Sequence, residues 1–450
     1  MGKSQMNKHD KNAVHQNGGF GSSVGFVLAC VGSAVGMGNI WMFPYRLGQY
    51  GGGAFLIPYI IFVAIFGLVG LSAEFAIGRR AGTGTLGAYE YCWNKIGKGK
   101  LGYILGWIPL LGSLGIAIGY SVIVGWVVRS LAGSFTGEIL TQEAAAFFAQ
   151  ANGDFGSIPW HMLGLLLTFI IMALGVTKGI EKMNKIMMPI FFVFFIILLI
   201  RVATLPGAVE GYKYMFVPKW DQLGDIKTWV YALGQAFFSL SLAGSGTIVY
   251  GSYLKKDVDI VKCAKNVAFF DTCAALLAGM VVIPAVFAFG LDVASGPPLM
   301  FITLPVVFQQ MPFGLLFAVL FFIAVLFAAL TSLMNLFETP IEAIENQFKI
   351  SRKAAVCIIA VIAAAVGVMI ESGDAVGAWM DAVSIYIVPL GAVLAAIMFF
   401  WVCPKGYARE QVEIGCGKKL GKWFEPVTKY VFVGITLIVY VLGIFFGGIG

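Results

Sequence analysis

Cys30-Val31-Gly32-Ser33-Ala34-Val35-Gly36-Met37-Gly38-Asn39 lies inside an apolar run, Phe20 to Tyr45, that is long enough to cross a bilayer, yet its composition does not favour an unbroken helix. Each glycine costs about 1 kcal/mol of helix stability relative to alanine, and three of them followed by an amide side chain predict a break. Inside hydrocarbon, the N–H and C=O groups freed by a break are tolerated only where they are buried in protein or line a polar cavity. The stretch therefore reads as a binding site. A second reading stays open at this point: Gly32 and Gly36 have small-xxx-small spacing, which serves close helix packing without any ligand.

The rest of the chain sets the context. Of 450 residues, 59% are hydrophobic and 12% charged, and the mean hydropathy is +0.88, values that belong to a polytopic membrane protein. Apolar spans of about 20 residues are read at Phe20 to Tyr45, Phe55 to Ile77, Leu101 to Leu131, Trp160 to Val176, Ile186 to Leu205, Trp229 to Tyr253, Val267 to Leu291, Phe313 to Phe337, Ala354 to Ile370, Trp379 to Val402 and Val427 to Phe446. Most of the 30 Lys and Arg residues fall in the tail (Lys3, Lys8, Lys11) and in alternate loops, at Arg79 to Lys100, Lys178 to Lys185, Lys255 to Lys265, Lys349 to Lys353 and Lys405 to Lys429. The positive-inside rule then places the N-terminus in the cytoplasm, the C-terminus outside, and the protein in the cell (inner) membrane. The net charge of +7 is accounted for by topology and calls for no nucleic acid partner. Seven cysteines, all in spans or cytoplasmic loops, predict no disulfide, and His9, His15 and His161 give neither metal-ligand spacing nor a nucleophile-base pair. Enzyme chemistry is not expected.

The sixth span repeats the anomaly of the first, with Ser239, Ser241, Ala243, Gly244, Ser245 and Gly246 at its midpoint. Interrupted spans at corresponding positions of two five-span blocks point to an inverted-repeat transporter with a midplane site, and packing alone becomes the weaker reading. The blocks run over 20–205 and 229–402, joined by an extracellular connection at 206–228. They are flanked by a cytoplasmic tail at 1–19 and by a cytoplasmic loop with the eleventh span at 403–450. Asp271 lies deep in the seventh span, where a carboxylate needs a cation or a proton. Thr331 and Ser332 are adjacent hydroxyls in the eighth, and beside two breaks and an acid they read as oxygen ligands of a hard cation. Tyr120, mid-span, needs a partner for its hydroxyl. Glu74, near a cytoplasmic span end, reads as a carboxylate satisfied beside the basic loop.

Several stretches carry a family resemblance: GSAVGMGNIWMFP (Gly32 to Pro44), YGGGAFLIPY (Tyr50 to Tyr59), GQAFFSLSL (Gly234 to Leu242), FITLP (Phe301 to Pro305) and AALTS (Ala328 to Ser332). Together they resemble the bacterial neurotransmitter:sodium symporters, of an eleven-span type, and imply an all-α, polytopic, leucine-transporter-like fold of inverted five-helix repeats plus one C-terminal span. The implied activity is sodium-coupled import of a neutral amino acid by alternating access. A membrane sensor or channel reusing the fold is the alternative.

The resemblance implies two sodium sites. One takes Ala34, Asn39, Ser239 and Asp271. The other takes the carbonyls of Gly32, Val35 and Ala328 with the hydroxyls of Thr331 and Ser332. It also implies a substrate pocket in which Ala34, Phe238 and Ser241 meet the amine, the amides near Gly36 and the Tyr120 hydroxyl meet the carboxylate, Gly38 is a further substrate-binding position, and Ile116, Ser332, Leu333 and Leu336 stand around the side chain. Gly244, where relatives have an aromatic lid, suggests room for large apolar or aromatic side chains. Chloride is not expected, because Asp271 supplies the charge that animal members take from chloride bound by the positions of Tyr59, Gln235, Ser239, Asp271 and Ala275. Proton antiport through Asp271 is a further expectation. Charged latches of the family are missing at Asn17, Phe20 and Met42, so Arg46 is expected to reach Asp381 as a replacement external gate. The partners are then the amino acid, sodium ions and the lipid bilayer.

Overall fold

The computed structural model describes residues 19–294 and 299–449. The tail positions Lys3, Lys8, His9, Lys11, His15 and Asn17 lie outside the described residues. Helix α1 (Ser23–Ala34) and helix α2 (Gly38–Gln49) meet at a 53° bend. The start of α1 is fixed by Ser22, whose Oγ accepts the Gly25 N–H at 3.0 Å, as expected of a serine cap. Its end comes where Val35 turns extended (φ −72°, ψ 98°) ahead of Gly36. The break thus falls in the glycine-rich stretch.

Helices α3 (Gly53–Ala81), α4 (Gly99–Thr136), α5 (Ile158–Ala173) and α6 (Val176–Ala203) follow. The next pair, α7 (Ile226–Ser239) and α8 (Gly246–Ser252), is separated by residues 240–245. Then come α9 (Ile260–Ala288), α10 (Gly314–Phe348), α11 (Arg352–Met369), α12 (Gly373–Val402) and α13 (Phe424–Phe445). Eight of these are long and apolar enough to cross a membrane unaided, and the bent pair α1/α2 makes nine. Helix α5 has 16 residues, and the interrupted α7/α8 pair falls short as separate pieces. All eleven apolar segments are therefore largely helical.

Burial separates the centre from the rim. In α4, 83% of the most apolar window is buried, against 33% in each of α6, α11 and α13. Helix α4 packs along α10, and α1 is lodged against α6, α9 and α10. Two boundaries differ from the hydropathy reading in ways that bear on function. Helix α6 starts at Val176 instead of Ile186, and α10 runs on to Phe348 instead of stopping at Phe337. The extra turns of α10 carry Glu338 and Glu345, whose charge is met by Arg352. Arg352 donates to both oxygens of the fully buried Glu338, at 2.8 and 2.7 Å, to the Met172 carbonyl at 2.9 Å and to Glu345 at 3.3 Å. The Tyr253 hydroxyl, just past α8, donates to the same Glu338 at 2.7 Å.

The helices are also marked by wide, π-type turns, at Gly38–Met42, Phe66–Leu71, Val176–Glu181, Val383–Ile387, Met398–Val402 and Val427–Phe432. Such turns are rare and concentrate at functional positions.

Candidate functional site

The gap between α1 and α2 brings opposite helix ends together. The carbonyl end of α1 carries partial negative charge and the amide start of α2 partial positive charge, so the gap is suited to a cation on one side and a carboxylate on the other. Asn39 is fully buried there. Its Oδ1 accepts the Gly36 N–H at 3.1 Å, while its Nδ2 donates to Asp271 Oδ1 at 2.7 Å, to the Asp271 carbonyl at 3.2 Å and to Ser239 Oγ at 3.2 Å. Ser239 in turn donates to Asp271 Oδ2 at 2.7 Å. One cluster of oxygen-bearing side chains thus joins α2, α7 and α9. Gln235 donates to the Gly38 carbonyl at 3.1 Å, and Tyr59 stands beside Asp271 and Ser239.

A second group lies across α1. A β-carbon placed on Gly32 would be 2.9 Å from Thr331 Cβ, and one on Gly36 would be 3.1 Å from Tyr120 Oη and 3.2 Å from Ser332 Oγ. Glycine at both positions is what lets α10 and α4 approach the broken backbone. Thr331 directs its proton into its own helix, to the Phe327 and Ala328 carbonyls at 2.9 and 3.0 Å, which leaves oxygen lone pairs to face Gly32. Tyr120 Oη accepts the Met37 N–H at 3.0 Å, so the mid-span phenol meets the amide start of α2.

The two breaks touch each other. Ser241 is held at a positive φ of 54°, an uncommon state for a residue with a side chain, and its Oγ donates to the Ser33 carbonyl at 3.1 Å. Around this junction Gly38, Ile116, Phe238, Ser241, Ser332 and Leu336 keep accessible surface, whereas Ala34, Val35, Ala328 and Leu333 are buried. A β-carbon on Gly38 would meet nothing within 4 Å.

Three expectations need correction. The room anticipated at Gly244 is already filled. Its φ is +68°, a β-carbon there would lie 2.6 Å from the Gly391 carbonyl and 2.7 Å from Tyr89 Oη, and its N–H donates to Glu74 at 3.0 Å. A glycine leaves no trace in the sequence of what occupies the space beside it, and here α12 and Tyr89 do. Gly244→Ala is expected to destabilise the protein by about 1–3 kcal/mol, the usual cost of a side chain forced into such a conformation, read as a lower melting midpoint in detergent. An unchanged midpoint would contradict this packing. The second correction concerns Arg46. Its guanidinium lies over the rings of Tyr231 and Tyr45, at 4.4 and 4.8 Å, a cation–π arrangement. Asp381 is exposed and makes no ion pair among the described residues, so the two are not joined. Glu74, for its part, accepts from both Gly244 and Thr247 rather than resting on the basic loop.

The fold also assembles a triad that the sequence did not announce: Ser121 Oγ lies 2.8 Å from His161 Nε2, and His161 Nδ1 lies 2.9 Å from Glu371. Its members are buried and Ser121 donates to the Ile118 carbonyl at 2.7 Å, so its proton is already used and no substrate reaches it. It is a structural cross-link between α4, α5 and the end of α11.

Residues 17–152 and 142–446 match the model of the sodium:neurotransmitter symporter family, which covers nearly the whole chain. The chain belongs to this family. A sodium-dependent transporter of Bacillus subtilis is 39% identical over 336 residues, covering 74% of this chain and 73% of that protein. A human sodium-dependent neutral amino acid transporter is 31% identical over 293 residues, 58% of this chain and 40% of that one. Among solved structures, MhsT in complex with L-phenylalanine has a TM-score of 0.84 and 34% identity, covering 95% of this chain and 99% of that one. The protein is thus an all-α, multi-pass membrane transporter of this sodium-dependent family with a leucine-transporter-like fold, and not an enzyme.

Proposed function

We propose that this symporter imports a neutral amino acid with a large apolar or aromatic side chain, driven by two sodium ions. The observation that carries the reading is the junction itself, where Asn39, Ser239 and Asp271 cluster on one side of the α1/α2 break and Gly32 and Thr331 on the other. The first ion is bound by the Ala34 carbonyl, Asn39, Ser239 and Asp271, and the second by the carbonyls of Gly32, Val35 and Ala328 with Thr331 and Ser332. The substrate carboxylate meets Gly36 and Tyr120, and its side chain lies among Ile116, Phe238 and Leu336, which keep accessible surface in the middle of the bundle. Phenylalanine bound to MhsT supports an aromatic occupant despite the filled space at Gly244. The N-terminus is cytoplasmic, the C-terminus extracellular, and 20–205 and 229–402 form the two repeats.

The driving force is sufficient. Each inward charge contributes about 2.3 kcal/mol at 100 mV and a tenfold gradient about 1.4 kcal/mol per ion, so two ions supply roughly 7 kcal/mol. Chloride is not required, because an ionised Asp271 would repel it by about 4 kcal/mol at 4 Å with an effective dielectric of 20. Once sodium leaves on the cytoplasmic side, Asp271 takes up a proton and carries it outward. The test is uptake of L-phenylalanine into proteoliposomes. A sodium gradient is expected to drive accumulation that a potassium gradient does not, with an unchanged rate when gluconate replaces chloride. Equal uptake in sodium and potassium would overturn the reading, and a large loss in gluconate would overturn its chloride part.

A further inference from the structure

We infer that Asn184 is an additional oxygen ligand of the ion at the second sodium site, which brings helix α6 into that site. This rests on the two-site reading above and extends it to a residue outside the set named there. The side chain of Asn184 is fully buried. Its Nδ2 donates to the Ile180 carbonyl one turn back at 2.8 Å, and this bond decides which way the amide faces, since the reverse orientation would set two oxygens against each other. The Oδ1 is therefore the atom turned towards α1. There it has no hydrogen-bond partner among the described residues, and a buried amide oxygen is rarely left so.

What surrounds this oxygen is the proposed ion site. A β-carbon placed on Gly32 would collide with Asn184 Oδ1 and would lie 2.9 Å from Thr331 Cβ, so the three residues converge on one point. The groups brought together there are acceptors. Thr331 spends its proton on Phe327 and Ala328, and the carbonyls near the end of α1 carry the negative end of its dipole. An oxygen without a donor, fixed among other oxygens, is suited to a hard cation. The competing account is a Cα–H contact from Gly32 to Oδ1, which would make Asn184 a packing residue only.

The placement ties sodium to a third helix. Glu181, three residues earlier on α6, accepts the Gly21 N–H at 2.6 Å and the Ser22 hydroxyl at 3.1 Å at the start of α1. Helix α6 thus holds the start of α1 through Glu181 in this structure, and on this proposal sodium adds a second tie near the end of α1.

The test is sodium binding itself, measured as binding of radioactive sodium to the purified full chain and as the sodium-induced rise in melting midpoint. Asn184→Leu keeps the size and removes the oxygen, Asn184→Asp keeps an oxygen, and Thr331→Ala probes the site independently. Asn184→Leu is expected to raise half-saturating sodium about tenfold, equivalent to about 1.4 kcal/mol, with full binding recovered at high sodium, and Asn184→Asp to stay at or below the wild-type value. If Thr331→Ala weakens sodium binding but Asn184→Leu does not, or if Asn184→Asp is as weak as Asn184→Leu, the role of Asn184 is overturned while the site stands. If neither Thr331→Ala nor Asn184→Leu changes sodium binding, the second site itself is wrong.

Discussion

Asn39→Ala is expected to raise the sodium concentration that half-saturates L-phenylalanine binding by at least about a hundredfold, the largest functional effect of any single substitution proposed. The side chain makes a hydrogen bond to the Gly36 N–H and three within the Asp271–Ser239 cluster, one of them to the carboxylate at 2.7 Å. Hydrogen bonds to charged groups contribute about 1.5–3 kcal/mol each, and a hundredfold change corresponds to about 2.8 kcal/mol, so one such bond with the lost ion ligand accounts for the effect. Alanine would leave Asp271 buried with Ser239 as its remaining side-chain donor, and would free the Gly36 N–H. The experiment is a sodium titration of substrate binding in potassium-balanced buffer. An alanine variant with the wild-type midpoint would remove Asn39 from the ion site.

Arg352→Ala should produce the largest loss of stability. Glu338 is 0% exposed and receives both arms of the guanidinium. Removing one partner of a buried pair costs about 3–5 kcal/mol, because the other charge remains behind without compensation. The Tyr253 hydroxyl would still donate to that carboxylate, which a single neutral donor does not compensate. A clear fall in the melting midpoint of detergent-solubilised protein is expected. The double variant Arg352→Ala with Glu338→Gln should recover part of it, since the stranded charge is then gone. Wild-type melting of Arg352→Ala would show that the pair contributes nothing. Equal melting of the single and double variants would show that the loss comes from the Met172 contact instead.

The helical segments and the break at Gly36 were legible because hydropathy and glycine act locally. Asn39, Ser239 and Asp271 were approached through an expensive buried acid and a family motif, and the structure places all three in contact. What escaped the sequence depends on distant neighbours. Asn184 fell outside the span read from Ile186, because Lys178, Lys182 and Lys185 lower the hydropathy of a segment that is nonetheless helical from Val176. Arg46 was assigned to Asp381 because Met42 lacks the family's charge, but a missing charge says nothing of aromatic rings arriving from elsewhere, and the guanidinium lies over Tyr231 on α7 and Tyr45 instead. The buried Glu338 is paired with Arg352, which the span boundaries put in a loop, so hydropathy gave no sign of the pair.

The wide turns at Phe66–Leu71 and Val383–Ile387, each with regular helix on both sides, have a consequence for how this chain tolerates length change. A π-type turn holds one residue more than the regular helix on either side needs. Deleting one residue from an ordinary turn rotates everything downstream by about 100°, carrying a buried face out to lipid. The same deletion inside a wide turn closes it to a regular one and leaves the flanking faces in phase. In helix α12 the wide turn Val383–Ile387 lies between regular segments, so it is the place where the register of that helix's buried face can absorb a lost residue without turning the downstream half out to lipid.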